Sequence, residues 1–148
     1  CRLIENNSQA RVIITTHAYI YGNHEYFAGE FVNEDTSIFG CPAPSAAYGS
    51  NNGDDIWEKL ISKYDNIDLT ICGHVEGEMY VTKRANKNGN LKSEIVCDFN
   101  STEKQENAGF VLLLHFSGDH NTVTTELIST NKNQYYKSKY QTSFTLNQ

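Results

Sequence analysis

The feature that most constrains the fold is a pair of short apolar segments with an amphipathic helical segment between them. Residues 11–18 (RVIITTHA) have the length and the β-branched content of a strand buried on both faces, and residues 67–72 (IDLTIC) are predicted to form the next buried strand. Residues 54–64 (DDIWEKLISKY) place apolar side chains at helical spacing, and Asp55 and Glu58 resemble a capping box. A helix between two strands favours a parallel crossover, which brings the C-terminal ends of both strands to one edge of a sheet.

The remainder of the chain has the pattern of antiparallel hairpins. Strands are predicted at residues 79–83, 91–99, 109–116 and 122–129, with an edge strand within 135–146. Asn88-Gly89 is a type I′ turn signal for the first hairpin, and Ser117-Gly118-Asp119 is a tight turn for the second. The order predicts an α/β fold with a mixed sheet, and with antiparallel hairpins at the back, in one domain over residues 1–148.

Charge and hydropathy exclude some partners. The 148 residues carry a net charge of −6, which argues against non-specific binding of nucleic acid. No apolar run approaches the roughly 20 residues that a membrane span requires. Residues 19–53 are rich in glycine and aromatic residues, and a loop of that length usually covers or builds a site.

Each strand of the predicted crossover ends at a histidine. His17 closes the first strand, and His74 follows Gly73 at the end of the second, so a parallel arrangement would bring both imidazoles to one crevice. Neutral imidazole is a common metal ligand, and Glu76 would share a face with His74 in an extended segment. His17, His74 and Glu76 are therefore candidate metal ligands. On spacing alone, a hydrogen-bonded structural histidine is the commoner case.

Two segments resemble the second half of a calcineurin-like metallophosphoesterase. They are VIITTHAYIYG and GDDIWEKLISKYDNIDLTICGHVEGE. In that family one late strand closes at a histidine, and a later strand ends in a G-H-x-H motif. A strand ending in Cys97-Asp98-Phe99 and a hairpin led by Gly109-Phe110 add to the resemblance, which extends from Arg11 to the C-terminus.

The resemblance implies the C-terminal half of a four-layer αββα sandwich. It also implies a hydrolase in which two divalent metal ions (Zn, Mn or Fe) activate water against a small phosphomonoester or phosphodiester. His17 matches the family's first late histidine and His74 matches the first of G-H-x-H, both as metal ligands. Glu76 stands where the family has its second histidine. Glutamate can ligate these metals, but its charge would alter metal preference and make a bound water less acidic.

The family's early motifs, D-x-H, G-D-x-x-D and G-N-H-D/E, do not precede residue 11. The resemblance therefore implies a partial domain whose partner is the missing N-terminal half of the same domain. Gly22-Asn23-His24-Glu25 spells one early motif, but it follows His17 without a strand before it, and we interpret it as a coincidence. With only three candidate ligands, the 148 residues alone are expected to bind metal weakly and to hydrolyse little.

The cysteines and two glycosylation patterns bear on the compartment. Cys72 and Cys97 lie in apolar strand-like segments and are best interpreted as small buried hydrophobic residues, although a disulfide is an alternative. Triplets that begin at Asn6 and Asn100 match N-x-S/T, which hints at a secreted or extracellular protein.

Two further functions compete with the metal-dependent phosphoesterase. One is a catalytically silent relative that serves as a binding or interaction domain, which Glu76 in place of histidine favours. The other is an extracellular β-rich binding module without metal, which suits the hairpins and the glycosylation patterns. The crossover helix and the two strand-end histidines argue against the binding module.

Overall fold

A computed structural model describes residues 1–20, 53–73, 78–99, 109–130, 134–135 and 140–146. In chain order the elements are α1 (Arg2–Glu5), β1 (Val12–Thr15), α2 (Gly53–Lys59), a short 3₁₀ helix (Ile61–Lys63), β2 (Ile67–Cys72), β3 (Glu78–Ala85), β4 (Leu91–Asp98), β5 (Phe110–Phe116), β6 (Thr122–Ser129), β7 (Gln134–Tyr135) and β8 (Ser143–Thr145).

The first sheet has the strand order β1-β2-β4-β3. β1 pairs with β2 in parallel, and β2 pairs with β4 in parallel, whereas β3 is the antiparallel hairpin partner of β4. The predicted parallel crossover between the first two strands is confirmed. The register between β1 and β2 shifts near Asp68, because Val12 pairs with Ile67 and Ile13 pairs with Leu69.

The second sheet is built around β6. β5 pairs antiparallel along the length of β6, and the short strands β7 and β8 pair with opposite ends of β6. The predicted hairpin over 109–129 is confirmed. The predicted C-terminal edge strand consists, among the described residues, of the two separate pieces β7 and β8.

Two apolar clusters divide the described part of the chain into three layers. The first cluster lies between the helices and the first sheet and includes Trp57, Ile61 and Val96. The second lies between the two sheets and is formed by Leu69, Ile95, Val123, Phe144 and Leu146. β2 contributes to both clusters and is buried on both faces. The fold is thus mixed α/β, with a helical layer, a sheet and a second sheet.

β1 corrects the prediction of a strand buried on both faces. Its paired segment is only four residues long, and its burial alternates between half-buried and exposed. Ile13 is 43% exposed, because β1 is the edge strand of the described sheet and the second apolar cluster does not extend over it. The continuous β-branched sequence therefore predicted more burial than this strand has.

The helical segment also differs from its prediction. α2 begins at Gly53, so Asp54 and Asp55 both lie in its first turn, where carboxylates favour the positive end of the helix dipole. The predicted capping box is wrong, because Asp55 lies inside the helix rather than at its N-cap. Asp55 pairs instead with Lys59 at 2.7 Å. The α-helix ends near Leu60 and continues as the 3₁₀ helix. The apolar face was predicted correctly, since its members all join the first cluster: Ile56, Trp57, Leu60, Ile61 and Tyr64.

The turn between β3 and β4 is not the predicted type I′ turn. A type I′ turn requires positive φ at both central residues. Here Gly89 has a φ of 83°, and Asn88 is not in the positive region. The amide of Gly89 donates to the carbonyl oxygen of Asn86, and the amide of Asn86 donates to that of Asn90. The longer loop of residues 86–90 therefore uses one left-handed glycine rather than two left-handed residues.

Candidate metal site

The C-terminal ends of β1 and β2 meet at one edge of the first sheet. Beyond the paired residues, the amide of Thr16 donates to the carbonyl oxygen of Ile71, and the amide of Gly73 donates to the carbonyl oxygen of His17, both at 3.0 Å. His17 is thus joined by a backbone hydrogen bond to the residue that precedes His74 in the sequence.

His17 is the one sequence-predicted ligand among the described residues. It is exposed. His74, Glu76 and His24 lie outside the described residues. The roles of His74 and Glu76 as ligands, and the coincidental nature of the motif around His24, stay predictions.

Asp98 is a further polar residue at this edge, and the sequence analysis gave it no role. β4 runs parallel to β2 and ends at Asp98, so its C-terminal end lies at the same edge as those of β1 and β2. A Cβ atom built on Gly73 would lie 3.5 Å from the Asp98 Oδ2 atom. Because β1 and β4 are on opposite sides of β2, His17 and Asp98 flank Gly73. The position of Asp98 could not be predicted, because it depends on the order of the strands in the sheet, which the sequence alone does not give.

The backbone at position 73 does not require glycine. Its φ is not in the positive region, and the nearest atoms to an added Cβ are at ordinary van der Waals distance. A methyl group would therefore fit beside the Asp98 carboxylate without a steric clash.

The segment that follows His17 is anchored in the helical side of the sheet. Tyr19 and Ile20 are fully buried, and the Tyr19 hydroxyl donates a hydrogen bond of 2.8 Å to Oε1 of the buried Glu94. Glu94 belongs to β4, in the middle of the sheet. The contact fixes the chain on the C-terminal side of His17, while β1 fixes it on the N-terminal side.

The described thiols are not disulfide-bonded. Cys72 is buried, Cys97 is half-buried, and both are free, as is the exposed Cys1. Burial raises the pKa of the Cys72 and Cys97 thiols to about 11. The interpretation as a small buried hydrophobic side chain is confirmed for Cys72, whereas Cys97 is only half-buried.

The remaining described histidines have local structural explanations. His115 lies on β5, is exposed, and its Nε2 atom is 2.9 Å from Oε2 of Glu126 on β6. His120 occupies the turn between β5 and β6 with a φ of 58°. The Asp119 carboxylate accepts hydrogen bonds from Ser117 and from the amide of Asn121, so turn chemistry accounts for the polar residues there.

Within the described ranges, no group of three or more His, Cys, Asp or Glu side chains could hold a metal ion. None of the helices in those ranges is long and apolar enough to cross a membrane. No family model matches the chain, and no curated protein and no solved structure matches it.

Proposed function

We propose that this chain carries the late-histidine part of a calcineurin-like metallophosphoesterase site. The observation that supports the proposal is the hydrogen bond between the Gly73 amide and the His17 carbonyl oxygen. It joins the two places at which the family's late histidine motifs would lie. The described layers, helices on a mixed sheet that packs on a second sheet, are compatible with three layers of a four-layer αββα sandwich.

Among the described residues, His17 is the candidate metal ligand. It is exposed, and its carbonyl oxygen accepts a hydrogen bond from the amide of Gly73. His17 and His74 would hold metal, with Glu76 as an altered third ligand. In such sites two divalent metal ions bind the phosphate group and supply a hydroxide nucleophile at neutral pH. The chain's own part is to orient the imidazoles through β1, β2 and the Tyr19 anchor.

The proposal requires further ligands from the early motifs of the family, placed ahead of β1. Two metals need more donors than His17, His74 and Glu76 supply. The 148 residues alone should therefore bind one divalent ion weakly and hydrolyse phosphoesters slowly. Tight binding of two equivalents of metal, measured by calorimetry, would contradict this donor count.

The test combines metal binding with hydrolysis. The chain is titrated with Zn²⁺ and Mn²⁺ and assayed with 4-nitrophenyl phosphate and bis(4-nitrophenyl) phosphate. His17→Ala should abolish metal-dependent hydrolysis and weaken binding at least tenfold. His115→Ala is the matched control, because it removes an exposed imidazole from the second sheet.

A catalytically silent binding domain is the second candidate, favoured by Glu76 at the position of the family's second histidine. Metal binding that depends on His17, without hydrolysis of either substrate, would support it over the enzyme. Absence of any binding that depends on His17 would contradict both candidates.

A further inference from the structure

We propose that Asn88 is a site of spontaneous deamidation, and that its conversion weakens the contact between the first hairpin turn (residues 86–90) and Asp65. Asn88 and Gly89 lie in the loop that connects β3 with β4. This loop is at the N-terminal edge of the parallel strands β2 and β4, whereas the candidate metal site is at their C-terminal edge. The inference is therefore independent of the proposed function.

The reaction begins at the backbone amide that follows the asparagine. The amide nitrogen of Gly89 attacks Cγ of Asn88, and the Nδ2 group leaves as ammonia with the proton of that amide. Water then opens the five-membered succinimide at either carbonyl, which gives aspartate or isoaspartate. Each conversion exchanges a neutral amide for a carboxyl group that is ionised at pH 7. Glycine favours the attack, because it has no Cβ atom to hinder the close approach.

The turn leaves space for this reaction. Asn88 and Gly89 are both exposed. Apart from the two chain neighbours of Gly89, no atom of the described residues would lie within 4 Å of a Cβ atom built on it. The Gly89 amide donates to the carbonyl oxygen of Asn86 at 2.9 Å, and this bond must open before the nitrogen can attack. Exposed turns open locally at low cost in free energy, so the bond slows the reaction without preventing it.

The other asparagines of the loop are less reactive. Asn86 is buried, and its Oδ1 atom accepts hydrogen bonds from the amides of Asn88 at 2.9 Å and of Asn90 at 3.0 Å. Asn90 is half-buried, and its Nδ2 atom donates to Asp65 at 2.7 Å. Both are followed by residues with long side chains, which hinder attack by the next amide. Asn88 is therefore the reactive position of this turn.

Conversion of Asn88 would reverse its contact with Asp65. The Nδ2 atom of Asn88 donates to the Asp65 carboxylate and lies 3.4 Å from each of its oxygens. The product places a second carboxylate there, which cannot donate and carries a charge of the same sign. Isoaspartate also lengthens the backbone by one methylene group, which disturbs the hydrogen bond from the Asn86 amide to the carbonyl oxygen of Asn90. The modified turn should therefore be held less firmly against Asp65.

The first experiment measures conversion at each asparagine by peptide mass spectrometry after incubation of the full chain at pH 8. In the folded chain Asn88 should convert at least ten times faster than Asn86 and Asn90. Asn52 is the other asparagine that precedes a glycine, and it supplies the reference rate in concentrated urea, where Asn88 should match it. If folding suppresses conversion at Asn88 to the rate of Asn86 and Asn90, the site is overturned.

The second experiment tests the consequence for Asp65 with Asn88→Asp, which has the side chain of one product. The hydrogen bond from Asn88 is one of the causes that lower the pKa of Asp65, so NMR titration should show a higher pKa in the variant. Lys87→Gln is the matched control, because it changes the net charge equally at an exposed neighbour and should shift this pKa by less than half as much. Equal shifts in the two variants, or no shift in Asn88→Asp, would overturn the coupling to Asp65.

Discussion

The hydroxyl of Tyr19 donates a hydrogen bond of 2.8 Å to the carboxylate of Glu94, and both side chains are buried. Loss of a hydrogen bond that leaves a buried acceptor less satisfied costs about 1–3 kcal/mol. We expect Tyr19→Phe to lower the free energy of unfolding by that amount in urea titrations. Tyr64→Phe is the control. Its hydroxyl bonds Glu5 at an exposed site, so its effect should stay below about 1 kcal/mol. Equal effects of the two substitutions would refute the anchoring role of Tyr19.

Arg11 connects the two sheets. Its guanidinium donates to the carbonyl oxygen of His120 and to Oδ1 of Asn121, both at 2.5 Å, and its Nε atom is 3.5 Å from Oδ2 of the buried Asp68. Arg11→Gln should cost roughly 1–3 kcal/mol near pH 7, because it leaves a buried charge with less compensation. Lys59→Gln, which breaks an exposed pair with Asp55, should cost less than about 0.5 kcal/mol.

The cost of Arg11→Gln should depend on pH. Burial raises the pKa of Asp68 above 3.8, and the charge of Arg11 opposes that rise. A carboxyl with a raised folded-state pKa contributes stability below its unfolded pKa and loses that contribution as pH rises through the folded pKa. Removal of Arg11 raises the pKa of Asp68 further and so increases this loss of stability. The difference in the free energy of unfolding between Arg11→Gln and the unaltered chain should therefore be large at pH 7 and small at pH 3. A difference that does not change with pH would refute the coupling between Arg11 and Asp68.

Asp65 is held by the asparagines of the first hairpin turn. Its carboxylate accepts from the Nδ2 atoms of Asn90 at 2.7 Å and of Asn86 at 2.9 Å, and these bonds lower its pKa below 3.8. A lowered folded-state pKa contributes stability above the unfolded pKa, and that contribution is lost as pH falls through the folded value. Asp65→Asn should therefore destabilise at pH 7 and at pH 5, with a smaller effect below pH 3.8.

Removal of one asparagine donor tests whether these hydrogen bonds lower the pKa of Asp65. Asn90→Ala deletes the hydrogen bond that lowers the pKa of Asp65 most. NMR titration of the Asp65 carboxyl should then show a higher pKa than in the unaltered chain. An unchanged value would mean that the asparagine bonds do not stabilise the carboxylate.

Thiol reactivity distinguishes the cysteines. Burial raises the pKa of Cys72 and Cys97 from 9.0 to about 11, so their thiolate fraction near pH 8 falls roughly a hundredfold. Iodoacetamide should label the exposed Cys1 first in the folded chain, as read by peptide mass spectrometry. In concentrated urea Cys1, Cys72 and Cys97 should react at similar rates, and similar rates in the folded chain would contradict the described burial.

Local sequence patterns predicted what depends on local physics. The bounds of β2 at Ile67–Cys72 follow from a short segment rich in apolar and β-branched residues that a turn signal precedes, and the apolar face of α2 follows from helical spacing. The length and type of the first hairpin turn were missed, because Asn88-Gly89 fits more than one turn and the pairing of Ala85 with Leu91 selects the longer loop.

Features that depend on distant elements could not be predicted. Exposure of Ile13 follows from the extent of the second sheet, which no residue near Ile13 encodes. The place of Asp98 follows from the parallel pairing of β2 with β4, whereas sequence alone indicates only the neighbouring hairpin between β3 and β4. The sequence did predict that His17 lies at the same sheet edge as the end of β2, because a helix between two strands usually connects them in parallel.

The parallel pairing of β1 with β2 has a consequence for the order of folding. The two hairpins close short loops, whereas the bond between Gly73 and His17 closes a loop that spans residues 18–72. Contacts between residues that are distant in sequence tend to form late, because closing a long loop costs chain entropy before the contact itself stabilises the chain. In pulsed hydrogen exchange during refolding, the Gly73 amide should gain protection after the amides of the β5–β6 hairpin. The proposed metal site would then be among the last parts of the molecule to form, so that ligand binding reports completed folding.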